Sequence, residues 1–231
     1  MPTAARQNST RPAVHRPPRA AKPPAPTLVL LVRHGNTPTT GKRLPGRAPG
    51  LHLSPKGKAQ AETVAGRIAA MEKPPTAIYA SPLERTRETA APIAAALGLR
   101  VRTAKDLIEV DVGAWTEQSL RRLYRTKEWP TVQRWPGGFR FPEGESFAEM
   151  STRSSGAVLD LVAAHPGETV VAVSHADPIK AIVAYAAGVP IDLMQRIIIS
   201  PCSVSALLFT HGGPAVLCMN STSSLAELAL S

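Results

Sequence analysis

The chain has 231 residues, 43% of them hydrophobic, and a formal net charge of +10 at pH 7. That length fits one large α/β domain with a tail, or at most two small domains, and no stretch approaches the roughly 18 apolar residues of a membrane span. Five of the ten net charges fall within residues 1–27 (Arg6, Arg11, Arg16, Arg19 and Lys22, with no acid), which leaves a moderately basic body suited to an anionic substrate and does not call for nucleic acid.

Residues 1–26 are rich in Pro, Ala and Arg and lack the apolar core of a secretory signal. They read as a disordered basic tail, with a transit peptide or contact with nucleic acid or anionic lipid as lesser readings. The apolar, β-branched run 27–32 is too short for a helix and predicts a buried central strand. It ends in Arg33-His34-Gly35, where the carboxyl ends of strands in α/β folds open into a ligand crevice. Gly35 would let the backbone approach a bound group closely. Residues 38–52 form a loop carrying Lys42, Arg43 and Arg47. Ser54-Pro55 then supplies an N-cap and a first-turn proline for a helix whose buried stripe is Ala61, Val64, Ala65, Ile68 and Met71.

A strand is expected at 77–80, and Ser81-Pro82 is read as a second cap and helix start, with Leu97-Gly98 as its terminator. A third strand covers 100–103. The segment 107–115 is apolar with Glu109 and Asp111 inserted. Residues 117–127 read as helix, 129–143 as a long loop and 146–165 as a helix stopped by Pro166-Gly167. A second buried strand, 169–174, runs into His175-Ala176-Asp177-Pro178, followed by a helix over 178–187. Strands at 204–209 and 215–219 flank Gly212-Gly213.

Strands alternating with helices give an α/β fold, a three-layer α/β/α arrangement around a mixed, mostly parallel sheet with the last pair antiparallel at one side. The domain is placed at 27–220, with a C-terminal tail at 221–231. The hairpin about Gly212-Gly213 sets Cys218 opposite Leu207, five residues from Cys202 and too far for a disulfide. Two buried free thiols and a cytoplasmic location are expected.

Two strand ends carry His34 and His175, and Arg33 and Arg85 stand at or just beyond strand ends. Two guanidinium forks and two imidazoles suit a phosphoryl dianion. Crowded cations also depress the imidazole pKa values, which keeps His34 neutral and nucleophilic. Arg33, Arg85 and His175 would bind the equatorial oxygens. Glu109, in its apolar segment, is the expected proton donor to the leaving group and later the base for water. Asp111 and Glu145 are its rivals, Glu145 doubling as a first-turn residue of a helix, whereas Asp177 reads as a helix cap. Arg43, Arg47, Trp115, Trp135 and Arg140 are candidates for the pocket mouth. No metal-ligand set is visible and no cofactor is expected.

These motifs in order resemble the histidine phosphatase (phosphoglycerate mutase-like) superfamily: Arg33-His34-Gly35, Leu53-Ser54-Pro55-x-Gly57, Ser81-Pro82-Leu83-x-Arg85-Thr86, Leu107-x-Glu109, and Val173-Ser174-His175. The resemblance implies a phosphohistidine intermediate on His34 and no cofactor. Thr40 stands where many members place a phosphate-binding asparagine, Asn36 where Glu or Gln is common, and Ala176-Asp177 where a glycine pair is frequent. Asn36 and Thr40 are therefore added to the phosphate-binding candidates. The 35–54 loop and the segment after Glu109 look short beside the mutase pattern. The phosphatase branch is accordingly expected, hydrolysing a small-molecule phosphate ester, with a mutase or a catalytically weak phospho-ligand binding module as alternatives. No membrane partner is expected, and a homodimer is compatible with the sequence.

Overall fold

The run from Thr27 to Arg33 forms a strand, β1, whose residues Leu28 to Val32 are all buried because both faces of the sheet are covered. Leu28, Leu30 and Val32 pack into one apolar cluster and Val29 and Leu31 into another on the opposite face. The computed structural model describes residues 25–223 and 225. Residues 1–24 of the tail expected at 1–26, and most of the tail expected at 221–231, lie outside the described residues.

Chain order is β1, a two-residue β2 (Arg43–Leu44), α1 (Pro55–Ala69), β3 (Ala77–Ala80), α2 (Glu84–Leu97), β4 (Val101–Thr103), β5 (Gln118–Ser119), α3 (Leu120–Leu123), α4 (Trp129–Arg134), α5 (Phe147–Ala164), β6 (Thr169–Ser174), α6 (Ala176–Ala186), β7 (Val204–Thr210) and β8 (Gly213–Ser221). The main sheet runs β4-β3-β6-β1-β7-β8. β4, β3, β6 and β1 are parallel and β7 and β8 antiparallel, so the mixed, mostly parallel three-layer fold holds. α1 and α2 pack on one face and α5 and α6 on the other. No helix among the described residues is long and apolar enough to cross a membrane.

Register places the chemistry. Arg33 pairs with Ser174, so His34 and His175 leave adjacent strands side by side. Ala80 pairs with Val173, so Ser81 leaves β3 next to them. The close approach at Gly35 turns out to be to protein: a Cβ there would stand 2.6 Å from the carbonyl oxygen of Gly57, at the start of α1.

Several expected elements are corrected. The second helix begins at Glu84 with Leu83 as an N-cap that makes no side-chain bond, because the Ser81 hydroxyl is used elsewhere. The predicted helix over 117–127 shrinks to one turn at 120–123: Glu117 takes a left-handed φ of 61° and Gln118–Ser119 pairs with Arg43–Leu44. The predicted loop at 129–143 contains α4. α6 starts at Ala176 with His175 in the cap position, so Asp177 lies inside its first turn and is not the cap. Cys218 lies opposite Ala206, not Leu207, because of irregular pairing in the hairpin. Both cysteines are free, Cys202 buried and Cys218 half-buried.

Candidate active site

Four side chains meet at the ends of β1 and β6 and the first turn of α2. His34 is 6% exposed, and Arg85 and His175 are 0%. The two imidazoles stand edge-on with centroids 5.2 Å apart. His34 is held by a 2.8 Å hydrogen bond between Nδ1 and the Gly35 carbonyl; a carbonyl can only accept, so Nδ1 carries the proton and Nε2 is left with a free lone pair. Burial, then Arg85 and Arg33, hold the His34 pKa well below the ordinary imidazole value. His175 is lowered likewise, by burial first and then by Arg85.

His175 Nε2 lies 2.7 Å from Ser81 Oγ, which is why that serine does not cap α2. Arg85 donates through Nη2 to the Gly46 carbonyl at 2.8 Å, and Arg33 through Nη1 to the Ile199 carbonyl. The remaining buried nitrogens, Arg33 Nε, Arg85 Nε and Nη1, and His175 Nδ1, have no partner among the described residues. Buried N–H groups are rarely left unsatisfied, so several of them at one spot describe a receptor for an acceptor-rich anion.

Arg33 and His34 open onto a cleft of about 560 Å³ that is also lined by Thr37, Thr40, Glu109 and Asp177. The half-buried Glu109 carboxyl accepts from the Val110 amide at 2.9 Å, yet its pKa is pushed up to about 7 by burial and then by the nearby Asp177 charge, against the pull of Arg85 and Arg33. Its rivals are engaged elsewhere. Asp111 and Glu145 both pair with Arg47, Glu145 also with Arg153 at 2.6 Å, and neither lines the cleft. Arg47 and Arg153 donate to the Glu109 carbonyl at 2.8 and 3.1 Å, so this network fixes the backbone that presents Glu109.

Of the remaining candidates, Thr40 lines the cleft, its hydroxyl accepting from the Thr37 amide. Asn36 does not: its backbone is tied to Gln60 and Ser54. Of the expected mouth residues only Arg43 lines the cleft. Trp115 is in the core, Trp135 is 60% exposed, and Arg140 pairs on the surface with Glu149. Sequence reasoning missed Lys180 and Gln195, and missed Asp177 as a cleft residue. Lys180 donates to Asp177 at 3.1 Å and to Gln195 at 2.8 Å. Their only sequence signal was the i,i+3 spacing of Asp177 and Lys180 on one helix face. No group of three or more His, Cys, Asp or Glu side chains suited to a metal ion occurs among the described residues.

Comparison with known proteins follows the same lines. The family model described as "Histidine phosphatase superfamily (branch 1)" matches residues 29–222. A probable phosphoglycerate mutase GpmB of Cronobacter sakazakii is 34% identical over 180 residues, covering 77% of this chain and 82% of the relative. Phosphoserine phosphatase 1 of Hydrogenobacter thermophilus is 31% identical over 206 residues, covering 86% and 94%. In three dimensions, a mycobacterial glucosyl-3-phosphoglycerate phosphatase superposes with a TM-score of 0.77 at 24% identity, over 85% of this chain and 100% of that one.

Proposed function

The chain belongs to branch 1 of the histidine phosphatase superfamily, and from that premise we propose that it hydrolyses a small-molecule phosphate monoester, without a metal, through a phosphohistidine on His34. The observation that carries the reading is the set of buried, unpartnered nitrogens of Arg33, Arg85 and His175 around a histidine whose Nδ1 is already committed to a backbone carbonyl.

The phosphoryl group seats against His34. Arg33 and Arg85 direct their free N–H groups at its oxygens, each bond strengthened by charge. Ser81 donates its hydroxyl proton to His175 Nε2, which leaves the proton of that neutral ring on Nδ1 and turns it towards the phosphoryl group. His34 Nε2 attacks phosphorus, the P–N bond forms and the P–O bond to the alcohol breaks. Glu109, whose pKa of about 7 keeps a large protonated fraction at neutral pH, passes its proton to the departing oxygen. A water then attacks the phosphohistidine, Glu109 takes one of its protons, the P–N bond breaks, and inorganic phosphate leaves with His34 and Glu109 restored. The guanidinium and imidazole groups stabilise the charge that spreads over the equatorial oxygens in both steps.

Hydrolysis is preferred to mutase transfer because the relative matched over more of both chains is a phosphatase and because the 35–54 loop is short. The test is turnover of p-nitrophenyl phosphate in the presence of a chelator. His34→Ala is expected to lower it at least about a thousandfold with an unchanged melting temperature. Retained activity in that variant removes His34 as nucleophile.

A further inference from the structure

Away from Arg33 and His34 the cleft is walled by apolar side chains from separate parts of the chain: Leu44 of β2, Leu120 and Tyr124 at α3, Trp129 of α4, and Ile197 and Ile198 before β7. Tyr124 is 56% and Ile198 72% exposed. Single exposed apolar residues are ordinary on any surface; here two of the most exposed large ones converge on one concavity. Tyr124 leans on Trp129 with ring centroids 4.8 Å apart at 54°, so the aromatic wall is braced and loses little freedom on binding a third ring.

The charges in this part of the cleft argue against an acidic alcohol. Lys180 is held by the Asp177 carboxylate and the Gln195 amide oxygen, and the Asp177 charge itself faces the cleft. Arg43 is exposed and turned towards the Glu117 carbonyl. With Arg33 taken up by the phosphoryl group, a carboxylate on the substrate would meet Asp177 and, among the described residues lining the cleft, only cations already shared with protein oxygens.

Resting on the phosphatase reading above, we propose that the alcohol half of the substrate is an uncharged aromatic group, seated against Tyr124, Trp129 and Ile198. Removing such a ring and these side chains from water together supplies the affinity, and the selectivity against a small or carboxylate-bearing alcohol follows from what the walls lack.

Benzyl phosphate, ethyl phosphate and phosphoserine are all alkyl esters with poor leaving groups, so comparing them separates binding of the alcohol from ease of bond cleavage. Benzyl phosphate is expected to exceed both others in kcat/KM by at least about tenfold. Tyr124→Ala and Ile198→Ala should each lower the benzyl-to-ethyl ratio several-fold. Phosphoserine equal to or better than benzyl phosphate overturns the proposal, as does a ratio unmoved in both variants. Calorimetry with benzylphosphonate and ethylphosphonate on the unaltered protein reads the same preference without turnover: tighter benzyl binding supports it and equal binding overturns it. If p-nitrophenyl phosphate is hydrolysed but the aromatic preference is missing, this inference alone fails; if no ester turns over, the phosphatase reading fails while the phosphonate comparison still decides this one.

Discussion

Two arginine clusters lie on either side of Glu109, and they are built on opposite rules. Behind it, Arg47 and Arg153 are matched by Glu145, Asp111 and the carbonyls of Asp106, Ile108 and Glu109. In front, the fully buried Arg85 and the half-buried Arg33 share one neighbourhood with two imidazoles and leave nitrogens without a partner among the described residues. Pairing makes a buried cation part of the scaffold, whereas withholding the partner stores electrostatic potential for a ligand to satisfy. The first arrangement favours folding and the second favours binding, a division expected of sites that trade stability for function.

Replacing one arginine from each cluster puts that contrast at risk. Arg153→Met strips donors from three carbonyls and leaves the Glu145 carboxylate with Arg47 and the Asp111 amide. We expect a loss of about 3–5 kcal/mol in urea unfolding, together with reduced activity as Glu109 loses its support. Arg85→Met removes a charge that burial already disfavours and gives up one hydrogen bond, to Gly46. Its stability in phosphate-free buffer should be unchanged or higher, while turnover falls about 100- to 1000-fold. Equal destabilisation by the two substitutions would mean that the clusters do not differ in kind.

The front cluster was readable in the sequence because each member sits at a fixed offset from an apolar strand: Arg33 and His175 directly after six-residue buried runs, His34 one residue further, and Arg85 one helical turn beyond Ser81. Strand polarity then did the assembling. Glu109 stood out as a carboxylate in an apolar segment, yet the reason it lines the cleft while Asp111 and Glu145 do not was not legible. That depends on Arg47 and Arg153, which lie far from each other in sequence and carry no local pattern. Ser81 and Asp177 were read as helix caps because a residue suited to capping is also suited to holding a neighbouring side chain, and only the partner's position decides. The stretch 117–134 failed for a related reason: its course follows from pairing with Arg43–Leu44, a contact with no periodic trace.

Glu109 itself lies on the boundary between the clusters, and pH probes which one governs it. Its pKa is raised from the ordinary carboxylate value of about 4.5 to about 7 in the folded protein. Below about pH 4.5 both folded and unfolded chains hold the proton, and stability carries no penalty. As pH rises from about 4.5 to 7 the unfolded chain gives up that proton while the folded protein retains it, so stability falls across this window and levels off once the folded carboxyl has ionised against burial. Glu109→Gln should therefore match the unaltered protein at pH 4 and exceed it by about 2–3 kcal/mol at pH 8.5 in chemical denaturation. The variant should also lose most turnover of alkyl esters while keeping more of its activity on aryl phosphates, whose leaving groups need no proton. A stability difference independent of pH would show that the Glu109 carboxyl titrates alike in the folded and unfolded chains.

The smallest expected effect comes from the charge that faces Glu109 across the cleft. Asp177 raises the Glu109 pKa, after burial, while Arg85 and Arg33 lower it and Lys180 shares the Asp177 carboxylate. Asp177→Asn removes the negative charge but keeps an acceptor for Lys180, so the fold should be little altered. With the repulsion gone, Glu109 ionises at lower pH, and the alkaline fall of kcat on an alkyl ester moves to lower pH. That displacement, read from the pH profile with KM followed separately, distinguishes a charge acting on the acid from a side chain that merely shapes the pocket. A pocket-shaping role would change KM and leave the limb in place. The direction also tests the comparison between the clusters: if the limb moved upward, the cations in front of Glu109 would not be setting its protonation, and their lack of partners would need another explanation.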